Sequence, residues 1–250
     1  MSTEPRRPFT ARYLGRVDYG DAWTMQQYLL QERIAGNIGD TVLLLEHAPV
    51  ITLGRGADAQ HVVASPELLA REGISQYATE RGGDVTYHGP GQLVAYPIVD
   101  LKPEHCDVRA YVRSLSRVMS RVLSAHGVAS GHLSDYIGVW VQEHDRAHWP
   151  WPENAVSTEL DSVPLAKIGA IGVKLSRWVT MHGFALNLTT NLEHFGLIVP
   201  CGITAHPMTS LLALTGKSLS VRDAAHTAAA AFAAEWNAPM TWEDATCGVD

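Results

Sequence analysis

Apolar positions fall into two rhythms along this chain. Over residues 107–126, Val108, Tyr111, Val112, Leu115, Val118, Met119, Val122 and Leu123 share one helical face, and Gly127 follows as a stop. Asp21 caps a second predicted helix over 22–35, ended by Gly36, and Ser65-Pro66 opens a short one that stops at Gly73. Two more close the chain, at 208–214 and 220–236, the latter with Ser220 and Asp223 placed as in a capping box. Between them, short apolar or alternating runs predict strands at 12–19, 41–47, 50–53, 76–80, 92–99 and 137–142, then three pieces at 167–172, 174–179 and 182–188.

Helices and strands interleave without strict alternation, which predicts a mixed α+β (α/β) fold: a mixed β-sheet with flanking helices. Neither a GxGxxG fingerprint nor a P-loop occurs, so a doubly wound nucleotide fold is disfavoured. The expectation is one catalytic domain across 1–250, with flexible tails at 1–11 and 240–250. Residues 143–164 carry three of the thirteen prolines and two of the seven tryptophans, and read as an exposed loop or lid.

Composition narrows the classes. Hydrophobic residues make up 46% and charged residues 18%, the balance of a globular protein. A formal net charge of −7 leaves no broad basic surface, so no nucleic-acid or membrane partner is expected. The polar, basic start lacks the apolar core of a secretory signal and no run is long enough to span a bilayer, so a cytoplasmic protein is expected. Three cysteines at wide spacing, Cys106, Cys201 and Cys247, fit neither a disulfide framework nor a paired-cysteine zinc site, and leave at least one thiol free. His144 and His148 have helical ligand spacing but lie in a proline-interrupted loop, so no metal is expected.

Four segments concentrate groups that core packing does not require. Residues 46–55 join His47, Pro49, Gly54 and Arg55. The stretch Arg81, Gly82, Gly83, Asp84, Val85, Thr86, Tyr87, His88 continues through Gly89-Pro90-Gly91; it reads as a tight hairpin or as a ligand-binding loop, and its density of glycine favours the loop. Lys167 heads a small-residue strand through Ala170, Ile171 and Gly172, followed by Gly183, Phe184 and Ala185; such a lysine faces either solvent or a pocket. Finally, Pro200 and Gly202 flank Cys201 and hold its sulfur on a turn with space beside it, as a nucleophile needs.

The ordered segments EHAPVITLGR, RGGDVTYHGPGQLVAYP, KIGAIGV, HGFALNL and IVPCGI resemble the lipoate-biosynthesis octanoyltransferases of the biotin/lipoate protein ligase superfamily, over about residues 41–212. Gly138-Val139-Trp140-Val141 and Thr209-Ser210-Leu211 are similar to the family too. The resemblance implies that Cys201 carries an acyl thioester, that Lys167 is its catalytic partner, and that acyl contacts come from 81–88, 170–172 and 183–185. It implies no cofactor, octanoyl-acyl carrier protein as donor, and acceptor lysines on the lipoyl domains of 2-oxoacid dehydrogenase complexes and the glycine cleavage H protein. Ile51 in place of an aromatic, Gly169 in place of alanine, and a long 143–164 insertion depart from the family pattern and bear on substrate preference and the lid.

In that chemistry, Lys167 stabilises a Cys201 thiolate and shuttles protons, its own basicity lowered by Ile168 and Ile171, with His88 as competing base. The family's protein substrates are acidic, so Arg55, Arg81, Lys174 and Arg177 are candidates for a basic entrance. The rivals are an ATP-dependent lipoate or biotin ligase, a cysteine hydrolase using His182 or His88, and a non-enzymatic acyl-binding module.

Overall fold

The computed structural model describes residues 8–103, 105–152, 155–156, 163–199 and 206–244. Seven strands form the main sheet in the order β10-β1-β2-β6-β9-β8-β7, where β1 is Phe9–Val17, β2 Asp40–His47, β6 Gln92–Ile98, β7 Val139–Gln142, β8 Leu165–Ser176, β9 Val179–Asn187 and β10 Met240–Asp244. β1 runs parallel to both its neighbours, and the pairs from β2 to β7 are antiparallel. A second sheet of three strands, in the order β4-β3-β5, is built from β3 Val50–Leu53, β4 Ser75–Ala78 and β5 Val85–His88.

The near-continuous apolar run of β2 is what a strand covered on both faces requires. Val42 and Leu44 enter a core shared with helices α3 (Val108–Ser124) and α5 (Val221–Trp236), while Leu43 and Leu45 pack on α1 (Tyr19–Ala35). Alanines at 224, 225, 228, 229 and 231 let α5 lie close to the sheet. Caps fall where the sequence places them. Ser65 Oγ accepts from Leu68 N ahead of α2 (Pro66–Arg71), Ser220 Oγ accepts from Asp223 N, and Gly36 ends α1 in the left-handed region. The short helix α4 spans Leu211–Thr215, beginning three residues later than the sequence predicts.

Several expectations are corrected. Phe9–Ala11 belong to β1 and Met240–Asp244 to an edge strand paired with it, so the expected tails at 1–11 and 240–250 are structured over those residues. The three pieces after 166 are two strands, β8 and β9, joined by a turn at Arg177 and Trp178. In the 143–164 insertion, residues 143–148 are exposed as expected, but Trp149 and Trp151 are half-buried against Leu133, Trp140 and Leu165.

Candidate active site

β5 sorts its side chains by the pleat of a strand. Val85 and Tyr87 enter the small sheet's core with Ile51, Leu69 and Phe195, whereas Thr86 and His88 face a cleft at the junction of the two sheets. Of the expected positions 81–88, Arg81, Gly83, Asp84, Thr86 and His88 line the cleft. Val85 and Tyr87 serve packing, and Gly82 is pinned to β8 by its N–H to Val173 O at 2.9 Å.

Arg81 lines the cleft with its stem, but its guanidinium is directed into the protein. It donates to Thr52 O (2.7 Å), Thr52 Oγ1 (2.9 Å), Asp84 O (2.7 Å) and Gly82 O (3.1 Å), tying β3 to the glycine loop. It therefore cannot form part of an exposed basic entrance. Lys174 pairs with Glu80, which leaves exposed Arg55 and Arg177 of the four candidates. Asp84 completes the loop, accepting from His61 Nδ1 at 2.5 Å and from Asp58 N at 3.2 Å.

β8 supplies the opposite wall. Its register with β7 jumps from Trp140↔Lys167 to Val139↔Gly169, so Ile168 is an extra residue, a bulge. Ala166 and Ile168 pack in the α3–α5 core, and Ile171 and Val173 pack against it. Lys167, Ala170 and Gly172 line the cleft. Ile168 therefore turns away from Lys167, and the lysine's close neighbour is instead the Trp140 ring, whose centroid lies 5.5 Å from Nζ. Lys167 is only 4% exposed, which decides between solvent and pocket. Its stem crosses Gly138 (φ +145°), where a Cβ would stand 2.6 Å from Lys167 Cε.

Ile171, Gly183, Phe184 and Ala185 line the same cleft. Thus Lys167, the remaining residues of the glycine loop and the expected β8 and β9 positions share one cavity. Cys201 lies outside the described residues.

Sequence reasoning did not single out Tyr19 and Tyr96 as lining residues, nor His182 as an acyl contact. Tyr96 and His47 lie within quoted motifs, and a polar tip inside an apolar strand is the signal that marks them; nothing local marks Tyr19. Carbonyl oxygens can only accept, and that fixes two relays. Thr209 O accepts from Asn187 Nδ2, Asn187 Oδ1 from Gln92 Nε2 and Gln92 Oε1 from His88 Nδ1, leaving His88 Nε2 unprotonated toward Thr52 Oγ1 at 3.5 Å. Val17 O accepts from His47 Nδ1, so His47 Nε2 accepts from the Tyr96 hydroxyl at 2.7 Å.

Burial, with His47 and Arg81 nearby, pushes His88 down to about 3. Burial likewise lowers His47 to about 4 and, with Arg81 and Lys174 adding repulsion, His182 to about 3. All three are neutral at pH 7, and His88 is too weakly basic there to serve well as a general base. His182 sits in β9 with a left-handed backbone (φ +58°), its N–H bonded to Gln26 Oε1 at 2.9 Å and its Nε2 without a hydrogen-bond partner among the described residues.

The family model for the lipoyl protein ligase A/B catalytic domain matches residues 18–233, and the chain belongs to that family. Among its relatives, the octanoyltransferase of Solibacter usitatus is 47% identical over 81% of this chain and 82% of its own length. That of Chloroflexus aggregans is 46% identical over 85% and 87%. The Myxococcus xanthus octanoyltransferase is 45% identical, this chain spanning 86% of itself and 56% of that longer protein. Within the family the chain therefore stands among the octanoyltransferases, which are acyltransferases.

Fold similarity reaches further. A bipartite lipoate protein ligase of Thermoplasma acidophilum superposes with a TM-score of 0.68 at 13% identity, over 96% of this chain and 88% of that one. A lipoate-protein ligase A bound with ATP gives 0.65 at 13% identity, over 98% and 90%. Among the described residues, no helix is long and apolar enough to cross a membrane, and no three His, Cys, Asp or Glu side chains are grouped to hold a metal.

Proposed function

We propose that this protein moves an octanoyl group from octanoyl-acyl carrier protein to a lysine of a lipoyl domain, through a thioester on Cys201 assisted by Lys167. The acceptors are the lipoyl domains of 2-oxoacid dehydrogenase complexes and the glycine cleavage H protein. The observation that carries this reading is the burial of Lys167 at a cleft whose other wall is the glycine loop.

Chain connectivity supports Cys201 as its partner. Lys167 N donates to Pro207 O, and Thr209 N donates to Lys167 O, both at 2.9 Å, so the chain returns beside Lys167 six residues after Cys201. On the other side, Val199 N donates to His61 O at 2.7 Å, and His61 holds the cleft residue Asp84. The described residues before and after the Cys201 segment, Val199 and Pro207, are thus each bonded to an element that borders the cleft, which supports the reading.

The Cys201 thiolate attacks the donor thioester carbonyl. A new carbon–sulfur bond forms, the bond to the carrier's thiol breaks, and the departing thiolate takes a proton. The acceptor lysine, as free amine, then attacks acyl-Cys201; the carbon–sulfur bond breaks, an amide forms, and the amine's proton passes to the restored thiolate or through Lys167. A cysteine near its usual value of about 8.5 is only about 3% thiolate at pH 7. An ammonium beside it raises the thiolate-to-thiol ratio tenfold for each 1.4 kcal/mol of stabilisation.

Intact-mass measurement after mixing with octanoyl carrier protein, without ATP, tests the reading. An octanoyl adduct on wild type and none on Cys201→Ala is expected. Transfer that needs ATP and free octanoate would instead identify a ligase, and free acid released without acceptor a hydrolase.

A further inference from the structure

Resting on the reading that Lys167 assists Cys201, we propose that Trp140 is a positioning residue: its indole face holds the Lys167 side chain at the cleft and favours its ammonium form. The two residues are direct partners across β7 and β8, and Lys167 Nζ stands over the ring, 5.5 Å from its centroid. Such a contact is attractive only to the charged amine, because it arises from the negative face of the ring quadrupole.

The ring is held from several directions. Its Nε1 donates to Tyr136 O at 2.9 Å, and its backbone exchanges hydrogen bonds with Gly131 at 2.9 and 3.0 Å. Leu133, Ala155 and Leu165 pack with the fully buried ring, and His206 stands edge-on at 5.4 Å. Gly138 leaves the gap through which the lysine stem reaches it. An ammonium that has given up its water needs compensating contacts, and a fixed aromatic face supplies one of them.

Other groups act on the same lysine's surroundings. His132 and Asp135 lie on the 131–138 segment, and His206 on the segment bridged to Lys167. Across the cleft stand Arg81, Asp84 and His88, with His182 and the hydroxyls of Tyr19 and Tyr96 beyond. An experiment that changes only the electron density of the Trp140 ring leaves all of these in place.

The test is site-specific replacement of Trp140 by mono-, di- and tetrafluorotryptophan, which keeps the ring's shape and drains its quadrupole. The readout is the pH dependence of octanoyl-enzyme formation from octanoyl carrier protein, by rapid quench and intact mass. A desolvated contact favours the charged amine about 30-fold, which is about 2 kcal/mol at 1.4 kcal/mol per decade. The alkaline limb should move to lower pH stepwise with fluorine number, by about 1.5 pH units for the tetrafluoro ring, and Trp140→Phe should give an intermediate shift. A limb that stays put through the fluorine series, whether the rate holds or falls evenly at every pH, overturns the assignment. If wild type forms no octanoyl adduct at all, the reading of function fails first; an adduct with an unmoved limb removes Trp140 alone.

Discussion

Three histidines buried as neutral rings, His47, His88 and His182, should make this fold sensitive to mild acid. Exposure is 0% for His47, 7% for His88 and 1% for His182. Burial, the leading cause in each, lowers them from 6.5 to about 4, about 3 and about 3. The unfolded chain thus binds more protons than the native one between those values and 6.5. Their contribution is fully present above pH 6.5 and is lost as pH falls toward the folded values. Down to pH 5 the loss hardly depends on how far each is lowered, because all three stay neutral in the native state. Going from pH 7 to pH 5, each histidine should cost about 2 kcal/mol, or about 6 kcal/mol together, against a usual domain stability of about 5–15 kcal/mol.

Urea unfolding followed by far-ultraviolet circular dichroism at pH 7, 6 and 5 measures this directly, provided the slope with denaturant stays constant. His182→Asn is the informative variant, since asparagine tolerates the left-handed backbone at that position and removes one titrating ring. It should flatten the pH dependence by about a third. A free energy of unfolding that moves by less than about 2 kcal/mol between pH 7 and 5 would refute the buried-neutral description of this cluster.

Other outcomes follow from the same geometry. Gly138→Ala would put a methyl 2.6 Å from both Lys167 Cε and Gly169 O, so octanoyl-enzyme formation should fall by at least about 100-fold with a stability loss of about 1–3 kcal/mol, read by rapid quench and thermal melting. Gly169→Ala meets the flexible Met119 Sδ at 2.7 Å, with Val139 Cβ and Ala185 O at 3.4 and 3.5 Å, and should cost less than about 1.5 kcal/mol with activity kept. Arg81→Lys cannot reproduce a planar donor set shared among Thr52, Gly82 and Asp84, and should destabilise by about 2–4 kcal/mol in urea melts. Reversing Arg55 and Arg177 together should raise KM for the carrier protein about tenfold and weaken its salt dependence while leaving kcat unchanged; steady-state kinetics at two ionic strengths would detect it.

Strongly periodic elements and caps were legible in the sequence. The helix α3, the strands β2, β3 and β6, the stop at Gly36 and the N-cap at Ser220 lie within a residue or two of expectation. What escaped has local physical reasons. The β8–β9 hairpin turns through Arg177 (φ 51°) and Trp178 (φ 68°), a left-handed pair without the glycine or asparagine that marks such turns. The break expected between 172 and 174 is absent; at Gly172 a Cβ would stand 2.9 Å from Gly82 O, so the glycine permits close approach of the loop to an unbroken strand. β5 was hidden because glycines surround its four residues. In the site, the segment motifs located the cleft, while pleat alternation decided which of their residues face it, and only paired strands fix that phase.

The bulge at Ile168 shows why phase matters for the chemistry. Ile171, Val173 and Leu175 pack against the α3–α5 core. In an unbroken two-residue alternation, Lys167 would point the same way and carry its charge into an apolar core. One extra residue against β7 reverses the phase, sending Ile168 to the core and Lys167 to the cleft with Ala170 and Gly172. Gly169 completes the reversal by lying against Met119, where a side chain would crowd α3. The lysine's access to the cleft is therefore a property of strand register before it is a property of the lysine. Deleting Ile168 leaves an unbroken alternation in which Gly169 faces the core and Lys167 still faces the cleft, so transfer should persist while the lost core side chain costs about 2–5 kcal/mol; a folded deletion variant that forms no octanoyl-enzyme would refute this account of the phase.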